Sequence, residues 1–397
     1  MKAVELFKRI VEMVPQWYEA DAGAVRHELK IGDDFFTFYS HIELTPALNQ
    51  FWNTVKIRIN DFADFVENQP PSIGDCIQES LVKVWLEIEN NSIDWDKVLA
   101  YAHFLKNRTC ENLPVSVNLV ILPDQNGDGD INDPALNKLL DQLAVSRTTY
   151  ISCDGQLRPI SFENIKCSEV FEPQDYTFHP EFLHPFNCLL KRLQSDQNKS
   201  AYTLHVTKTR DLIIMNIDGL LASNRKGEWK IYDVRTFKNS ISGAMGDYRV
   251  GCNLFGVLFD LSFRRHGGLL IFDKRGSVSN HIVSGNDLGD NHILNPWKGK
   301  FNLACSNTEI HRSRVILAEL ASIDGAIVFD EGRITHVGAL IEPHPNVPSQ
   351  VGARTTAALS ALKWGGVPAK ISSDGDVSIH FISHGDGTQS EATMRFS

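Results

Sequence analysis

The chain has 397 residues, of which 42% are hydrophobic and 22% charged, proportions that are ordinary for a globular protein. This length predicts two or three domains, because single hydrophobic cores stop growing well below it. The formal net charge of -10 argues against a protein that coats nucleic acid through bulk electrostatics, although it permits a small basic pocket for a nucleotide.

The cysteines and the N-terminal residues indicate the compartment. Seven cysteines are spread along the chain without a CxxC pair, which argues against a disulfide framework or a zinc knuckle. The opening segment MKAVELFKRIVEMVPQW is amphipathic and carries acidic residues, unlike a signal peptide. No apolar run approaches the roughly 20 residues of a membrane helix. We therefore expect a soluble, cytoplasmic protein with reduced thiols and no membrane partner.

Residues 1–112 are predicted to form a helical N-terminal region. VELFKRIVEMV and DWDKVLAYAHFL carry apolar residues at helical spacing. Between them, QPPSIGD (Gln69 to Asp75) has the composition of a loop.

Residues 113–244 are predicted to form a β-rich α+β domain. Val115 to Leu122 is a β-branched run bounded by prolines, the pattern of a buried strand. YTLHV, LIIMNI and WKIYDV follow, with turn-rich connections that predict an antiparallel meander. The segment FHPEFLHPFNCLLKRLQSD before them offers a helix to cover one face.

Residues 245–385 are predicted to form an α/β domain with a mixed sheet flanked by helices. Predicted helices at Gly251–Phe263, at Ser313–Ile323 and over TTAALSALKWG alternate with strands. The strands are LLIF after the helix-breaking Gly267 and Gly268, a pair joined by the DEGR turn, and a closing pair in PAKISSDGDVSIHFI. Residues 386–397 are expected to form a loose tail.

Two segments resemble metal sites without completing one. Asp124 to Asp133, DQNGDGDIND, matches the first positions of a calcium loop, but Ala135 stands where the bidentate carboxylate belongs. A solvated acidic turn is the preferred interpretation. In FHPEFLHPF, His179, Glu181 and His184 lack the HExxH spacing, and a proline follows each histidine, so a turn packing phenylalanines is preferred there.

The C-terminal region holds a more coherent set of polar residues. Asp324 opens a DGA turn, in which Gly325 and Ala326 let a ligand approach the backbone. Arg354 precedes a helix, whose N-terminal N–H groups and dipole favour phosphate, and Ser372 and Asp374 end a strand. A carboxylate for Mg²⁺ or Mn²⁺ and an arginine for phosphates are what nucleotidyl transfer requires. The competing interpretation is an ordinary Asp-Gly turn and a surface arginine.

Four segments in order, RRHGGLLIF, LAELASIDGAIVFDEGRITHVGALI, GARTTAAL and ISSDGDVSIHF, resemble the diadenylate cyclase domain family. Members share an R-x-G-[AG] strand after a helix, a DGA motif, a G-T-R-H-R-x-A-A motif and a V-S-E/Q-x-x-G strand. The resemblance covers about residues 245 to 385. The strand-rich middle region looks more loosely like the sensor regions fused to soluble members.

The resemblance implies two facing cyclase domains, each holding one ATP, in a homodimer or higher oligomer. Each 3′-hydroxyl attacks the other α-phosphate with help from Mg²⁺ or Mn²⁺, which yields cyclic di-AMP and pyrophosphate. Carried onto this chain, Asp324 would bind the metal and activate the 3′-hydroxyl. The other residues implied in nucleotide binding are Gly325, Ala326, Gly352, Arg354, Thr355, Thr356 and Ser372.

The chain departs from the family at its phosphate motif. Where the family has T-R-H-R, it has Ala353, Arg354, Thr355 and Thr356, so a histidine and one arginine are missing. The threonine hydroxyls can still donate hydrogen bonds at a helix N-terminus. Lys363, Lys370 or the cluster Arg264–Arg265–His266 are candidates to replace the lost charge. The alternatives to a cyclase are a degenerate cyclase fold that senses a nucleotide, and a scaffold that only dimerises.

Overall fold

The structure is a computed structural model, and it describes most of the chain. The described residues are 3–14, 17–18, 25–31, 34–40, 43–66, 73–110, 112–143, 149–164, 200–217, 219–287, 317, 319–330, 333–348, 352–385 and 388–396. Within these ranges the chain builds two seven-stranded mixed sheets with helices packed on them, which confirms the α/β class. None of the helices in this part is both long and apolar enough to cross a bilayer.

The two N-terminal helices predicted from apolar spacing are present, together with two further helices and a small sheet for which no pattern was identified. The helices are α1 (Ala3–Glu12), α2 (Pro46–Val66), α3 (Ile73–Glu89) and α4 (Trp95–Asn107); the sheet has the order β1-β3-β2, with β1 (Trp17–Tyr18), β2 (Val25–Ile31) and β3 (Asp34–Ser40). The Asp94 carboxylate caps α4 by accepting the Lys97 N–H at 3.1 Å. The loop predicted over Gln69 to Asp75 ends earlier than predicted, because α3 already begins at Ile73. Residues 69–72 lie outside the described ranges.

The first large sheet contains the predicted meander. After the short pair β4 (Thr109–Cys110) and β5 (Leu113–Pro114), its strands are β6 (Val117–Ile121), β7 (Thr149–Cys153), β8 (Pro159–Asn164), β9 (Tyr202–Val206), β10 (Leu212–Asn216), β11 (Gly219–Arg225) and β12 (Glu228–Ile231), with α5 (Pro134–Leu143) between β6 and β7. Their order is β12-β11-β10-β9-β6-β7-β8. Strands β9 to β12 pair antiparallel as predicted, while β11 was not predicted as a separate strand. The helix predicted from FHPEFLHPF onward lies outside the described residues.

The second large sheet follows two helices, α6 (Val234–Met245) and α7 (Tyr248–Arg264). Its strands are β13 (Gly268–Phe272), β14 (Ile282–Asp287), β15 (Ala326–Asp330), β16 (Arg333–Ile341), β17 (Val367–Ile371), β18 (Val377–Gly385) and β19 (Thr388–Phe396), in the order β14-β16-β15-β13-β17-β18-β19, and α8 (Ala353–Lys363) precedes β17. Of the helix predicted at Ser313–Ile323, residues 317 and 319–321 are helical, while residues 313–316 and 318 lie outside the described ranges.

Three hydrophobic clusters arrange these elements in layers. One face of the first sheet packs against α1 to α4, and its other face packs against α6 and α7. The same two helices cover one face of the second sheet, through residues such as Phe255 and Phe259, and α8 covers the opposite face through Ala358 and Ala361. Helices α6 and α7 therefore lie between the two sheets and connect them.

The C-terminal residues are not a loose tail. β19 pairs antiparallel with β18 from Thr388 to Phe396, opposite Gly385 to Val377. Ala392 and Met394 are buried against the core, and Thr393 between them lies on the opposite face of the strand. This tail prediction is wrong because pairing with β18 and two buried side chains order a segment of low overall hydrophobicity.

Candidate functional site

Asp324 lies in the turn that leads into β15. Its side chain is fully exposed, and its carboxylate accepts the N–H of the adjacent Gly325 at 3.1 Å. The strand that follows is buried from Ala326 to Phe329. The fold thus presents an acidic group to solvent on an anchored strand end.

Gly325 allows two backbones to come into close contact. Its φ of 96° is a conformation that side chains with a Cβ rarely adopt, and a Cβ placed there would lie 2.5 Å from the carbonyl carbon of Gly338. The Ala326 side chain points into the core shared with α8, alongside Ala358. The glycine therefore serves the β15–β16 contact, and any contact between Ala326 and a ligand has to use its backbone.

The N-terminus of α8 brings Arg354 towards Asp324. The cap residue Gly352 has φ 106°, and no side chain of the described residues caps the helix. The first intrahelical bonds run from the N–H groups of Thr355 and Thr356 to the Gly352 carbonyl, at 3.1 and 3.3 Å. Arg354 Nη2 lies 3.9 Å from Asp324 Oδ1. The two residues predicted to share a cleft therefore lie side by side, next to the positive end of α8.

The Arg354 guanidinium lies in a slot bordered by Gly267 and by the backbone of Ser373. A Cβ on Gly267 would lie 2.5 Å from Arg354 Nη1 and 3.4 Å from the backbone nitrogen of Ser373, so the absence of a side chain there makes room for the guanidinium. Arg354 Nε is buried and has no hydrogen-bond partner among the described residues. A buried donor without an acceptor is unusual and is a natural place for an anion. The sequence pattern identified Gly267 as a helix breaker and missed this role.

Lys370 supplies a second cation at this helix end. It lies on β17, on the face that α8 covers, and its ammonium donates to Thr355 Oγ1 at 3.1 Å. Three of the other candidates pair with acidic residues elsewhere: Lys363 with Glu391, Arg264 with Glu319, and Arg265 with Asp211. Of these four cations, Lys370 is the one that contacts the N-terminal turn of α8.

His380 lies on the same face as Lys370, one strand away. Burial, followed by the charges of Lys370 and Arg395, lowers the pKa of His380 to about 4. Its Nδ1 is 2.9 Å from Thr393 Oγ1 and its Nε2 is 3.4 Å from Ser378 Oγ. The imidazole is therefore neutral at physiological pH and adds no charge beside Lys370.

This neutral histidine predicts acid sensitivity. In the unfolded chain His380 takes up a proton near pH 6.5, whereas in the folded chain it does so only near pH 4. The free energy of unfolding is therefore unaffected by this group above pH 6.5 and decreases as the pH falls towards 4. The shift corresponds to a loss on the order of 3 kcal/mol. Urea unfolding of the wild type and of His380→Gln at several pH values measures it. If the free energy of unfolding fell as steeply with pH in His380→Gln as in the wild type, His380 would not be the source of the acid sensitivity.

Ser372 and Asp374 belong to a tight turn beside the Arg354 slot. The Ser372 hydroxyl donates to the Asp374 carboxylate and accepts the Asp376 N–H at 3.0 Å. The ammonium of Lys226, then the Ser372 hydroxyl, lower the pKa of Asp374 to about 2. Both predicted polar groups are thus already used within the protein. The backbone nitrogen of the adjacent Ser373 borders the space above Gly267 that Arg354 Nη1 also borders.

The donor set fits a metal only together with a ligand. No group of three or more histidine, cysteine, aspartate or glutamate side chains in the described ranges can hold an ion. Asp324 offers one exposed carboxylate, which suits Mg²⁺ or Mn²⁺ when phosphate oxygens and water complete the shell. The chemistry of the donor set therefore permits a metal that arrives with a nucleotide.

The two earlier metal candidates gain no support. In the acidic loop, Asp128 and Asp130 accept backbone N–H groups of Gly129 and Asn132 at 2.8 and 2.9 Å, and Asp124 accepts the Ser200 hydroxyl. These carboxylates stabilise their own surroundings, which favours the solvated-turn interpretation. His179, Glu181 and His184 lie outside the described residues.

A separate groove of about 930 Å³ runs between β2 and α2. Its lining includes Arg26, His27, Lys30, Trp52 and Lys56, together with the acidic Glu28 and Glu43. The predicted site residues are not among those described along it. It is thus distinct from the Asp324–Arg354 cleft.

No family model and no curated protein matches the chain. Among solved structures, it is similar to a double mutant of DacA from Staphylococcus aureus, at 20% identity and a TM-score of 0.23, over 35% of this chain and 83% of that one. It is also similar to a hypothetical membrane spanning protein from Bacillus cereus, at 16% identity and a TM-score of 0.27, over 41% of this chain and 75% of that one. The similarity to DacA, a diadenylate cyclase, is weak and is confined to the fold.

Proposed function

We propose that this protein is a nucleotidyltransferase resembling diadenylate cyclases, which condenses two ATP molecules into cyclic di-AMP or a related dinucleotide and releases pyrophosphate. The observation that carries the proposal is the Arg354 guanidinium, 3.9 Å from an exposed carboxylate, with a buried Nε–H that lacks an acceptor among the described residues. A phosphate oxygen supplies that acceptor, and the helix end, which no side chain of the described residues caps, favours the same charge.

Each residue has a distinct part in this proposal. Arg354 holds the triphosphate, and Lys370 contributes the charge that the motif lost. Asp324 orients the attacking 3′-hydroxyl and holds Mg²⁺ or Mn²⁺. When bound, the metal polarises the phosphate oxygens and offsets developing charge. Because each hydroxyl attacks the nucleotide of the opposite domain, the active form is a homodimer or a higher oligomer.

Incubation with ATP and Mn²⁺ tests the proposal. We expect cyclic or linear dinucleotide and pyrophosphate from the wild type, and neither product from Asp324→Asn. Since Asp324 is fully exposed, this variant should fold normally. An absence of product at high enzyme concentration, with binding retained, would favour the alternative function.

The alternative is a degenerate cyclase fold that binds a nucleotide as a sensor module. The motif favours it at one point, because Thr355 and Thr356 stand where the family has histidine and arginine. Calorimetry separates the two functions, since a sensor binds ATP tightly without turnover. Failure to bind any nucleotide would eliminate both.

Lys370→Met is expected to weaken ATP binding by about 10-fold, because one charged phosphate contact contributes ~1.5 kcal/mol. Methionine keeps most of the side-chain volume, so the half-buried position stays filled. Calorimetric titration measures the effect. Lys363→Met is the matched control, since Lys363 is on α8 but pairs with Glu391. Equal affinities of the two variants would show that Lys370 does not contact the ligand.

A further inference from the structure

Residues of the first sheet hold the turn beside Arg354. Lys226 lies in the tight turn between β11 and β12, where it has a φ of 53°. Its ammonium is 2.7 Å from Asp374 and 3.5 Å from Asp376, both in the turn that follows β17. The two large sheets are thus joined by ion pairs at the edge of the candidate site.

Beneath this surface contact, Arg225 makes a buried connection. Its side chain is 4% exposed and donates to Ser262 twice, to Oγ at 2.5 Å and to the carbonyl at 2.8 Å. The Ser262 hydroxyl in turn donates to the Gly375 carbonyl at 2.6 Å. A Cβ on Gly375 would lie 2.3 Å from Arg225 Nη2, so the turn closes directly over the guanidinium.

The buried Arg225 guanidinium is balanced by a buried carboxylate, Asp211. Asp211 is 1% exposed and lies 2.9 Å from Arg265 Nη2 and 3.8 Å from Arg225 Nε. The Arg225 guanidinium also lies over the Phe263 ring, 4.6 Å from its centre. Buried charges need such partners, and removing one partner is costly. The cluster therefore fixes the first sheet, α7 and the 372–376 turn to one another.

The same cluster connects to both walls of the Arg354 slot. Ser262 lies on α7, five residues before Gly267, and Gly375 lies two residues after Ser373. Gly267 and Ser373 are the two residues that border the Arg354 slot. A displacement of Arg225 relative to α7 or to the turn would therefore change the width of the slot.

We propose that this inter-sheet clasp, formed by Asp211, Arg225, Lys226, Ser262 and Arg265 with the 372–376 turn, positions the Arg354 slot and lets the N-terminal half regulate it. The inference rests on the proposed function, because it assumes that the slot receives the phosphates of ATP. By reciprocity, ATP bound at the slot stabilises the β11–β12 turn to the same extent that the turn favours ATP.

Calorimetric titration of ATP with Mg²⁺ tests the clasp. We expect Lys226→Ala and Asp374→Ala each to raise the Kd about fivefold, at the lower end of typical coupling between sites. The double variant should be no weaker than either single one, and the charge exchange Lys226→Asp with Asp374→Lys should restore part of the affinity. These are exposed positions, so the variants should fold. Arg264→Ala is the matched control, since its pair with Glu319 stays within the C-terminal half.

Hydrogen exchange provides a readout that a purely structural role would not change. ATP should slow amide exchange in residues 219–231 of the wild type and should lose this effect in Lys226→Ala. Variants that fold and bind ATP with the wild-type Kd would overturn the clasp while leaving the proposed function intact. A wild type that binds no ATP would overturn both.

Discussion

Arg354→Ala is expected to weaken ATP binding by about 10- to 150-fold, which corresponds to the ~1.5–3 kcal/mol of a hydrogen bond to a charged group. The change removes the guanidinium and the Nε–H that is buried without an acceptor among the described residues. Stability should change little, because the ion pair that Arg354 loses is long, at 3.9 Å, and its partner Asp324 is fully exposed. Calorimetric titration and thermal unfolding measure the two quantities.

Two further variants separate charge from geometry at this position. Arg354→Lys keeps the charge but loses the planar fork and Nε, so an intermediate affinity is expected. Lys363→Ala on the same helix should bind as the wild type does, since that lysine pairs with Glu391. Full affinity in Arg354→Ala would mean that the phosphates bind elsewhere.

Gly325→Ala is expected to lower the free energy of unfolding by about 3 kcal/mol, at the upper end of ordinary point mutations. The added Cβ would lie 2.5 Å from the Gly338 carbonyl carbon, and backbone cannot move aside as a side chain can. The φ of 96° adds strain of its own. Urea unfolding of the full chain measures this loss of free energy.

Gly129→Ala is the control for backbone strain alone. Gly129 has a similar φ of 88°, but a Cβ there would meet nothing within 4 Å. It should therefore cost only about 1 kcal/mol. If both variants lost the same free energy of unfolding, backbone strain alone would explain the effect at Gly325, and the close contact between β15 and β16 would not contribute.

Local patterns were sufficient to predict much of the fold. Helical spacing predicted α1, α4 and α7, and β-branched runs predicted β6, β10 and β13, because each of these elements buries one face or both. The β2–β3 hairpin and β19 did not stand out, since their order depends on partners distant from the residues themselves. The predicted domain boundaries stay predictions.

The site was predictable in its residues and not in its surroundings. Asp324 and Arg354 were identified through a motif, and the structure brings them together. Which lysine reaches the motif depends on strand register, so the sequence offered Lys363 and Lys370 equally, and only Lys370 contacts Thr355. Gly267 resembled an ordinary helix breaker because the arginine that fills its space lies far along the chain.

Side-chain ¹⁵N NMR of Arg354 during an ATP titration tests the central claim most directly. The Nε–H resonance can be assigned by its loss in Arg354→Lys. If the slot holds the polyphosphate, ATP and pyrophosphate should both shift this resonance and slow its exchange with water, and adenosine should do neither. ATP that binds by calorimetry and leaves the resonance unchanged would contradict a phosphate seat at Arg354.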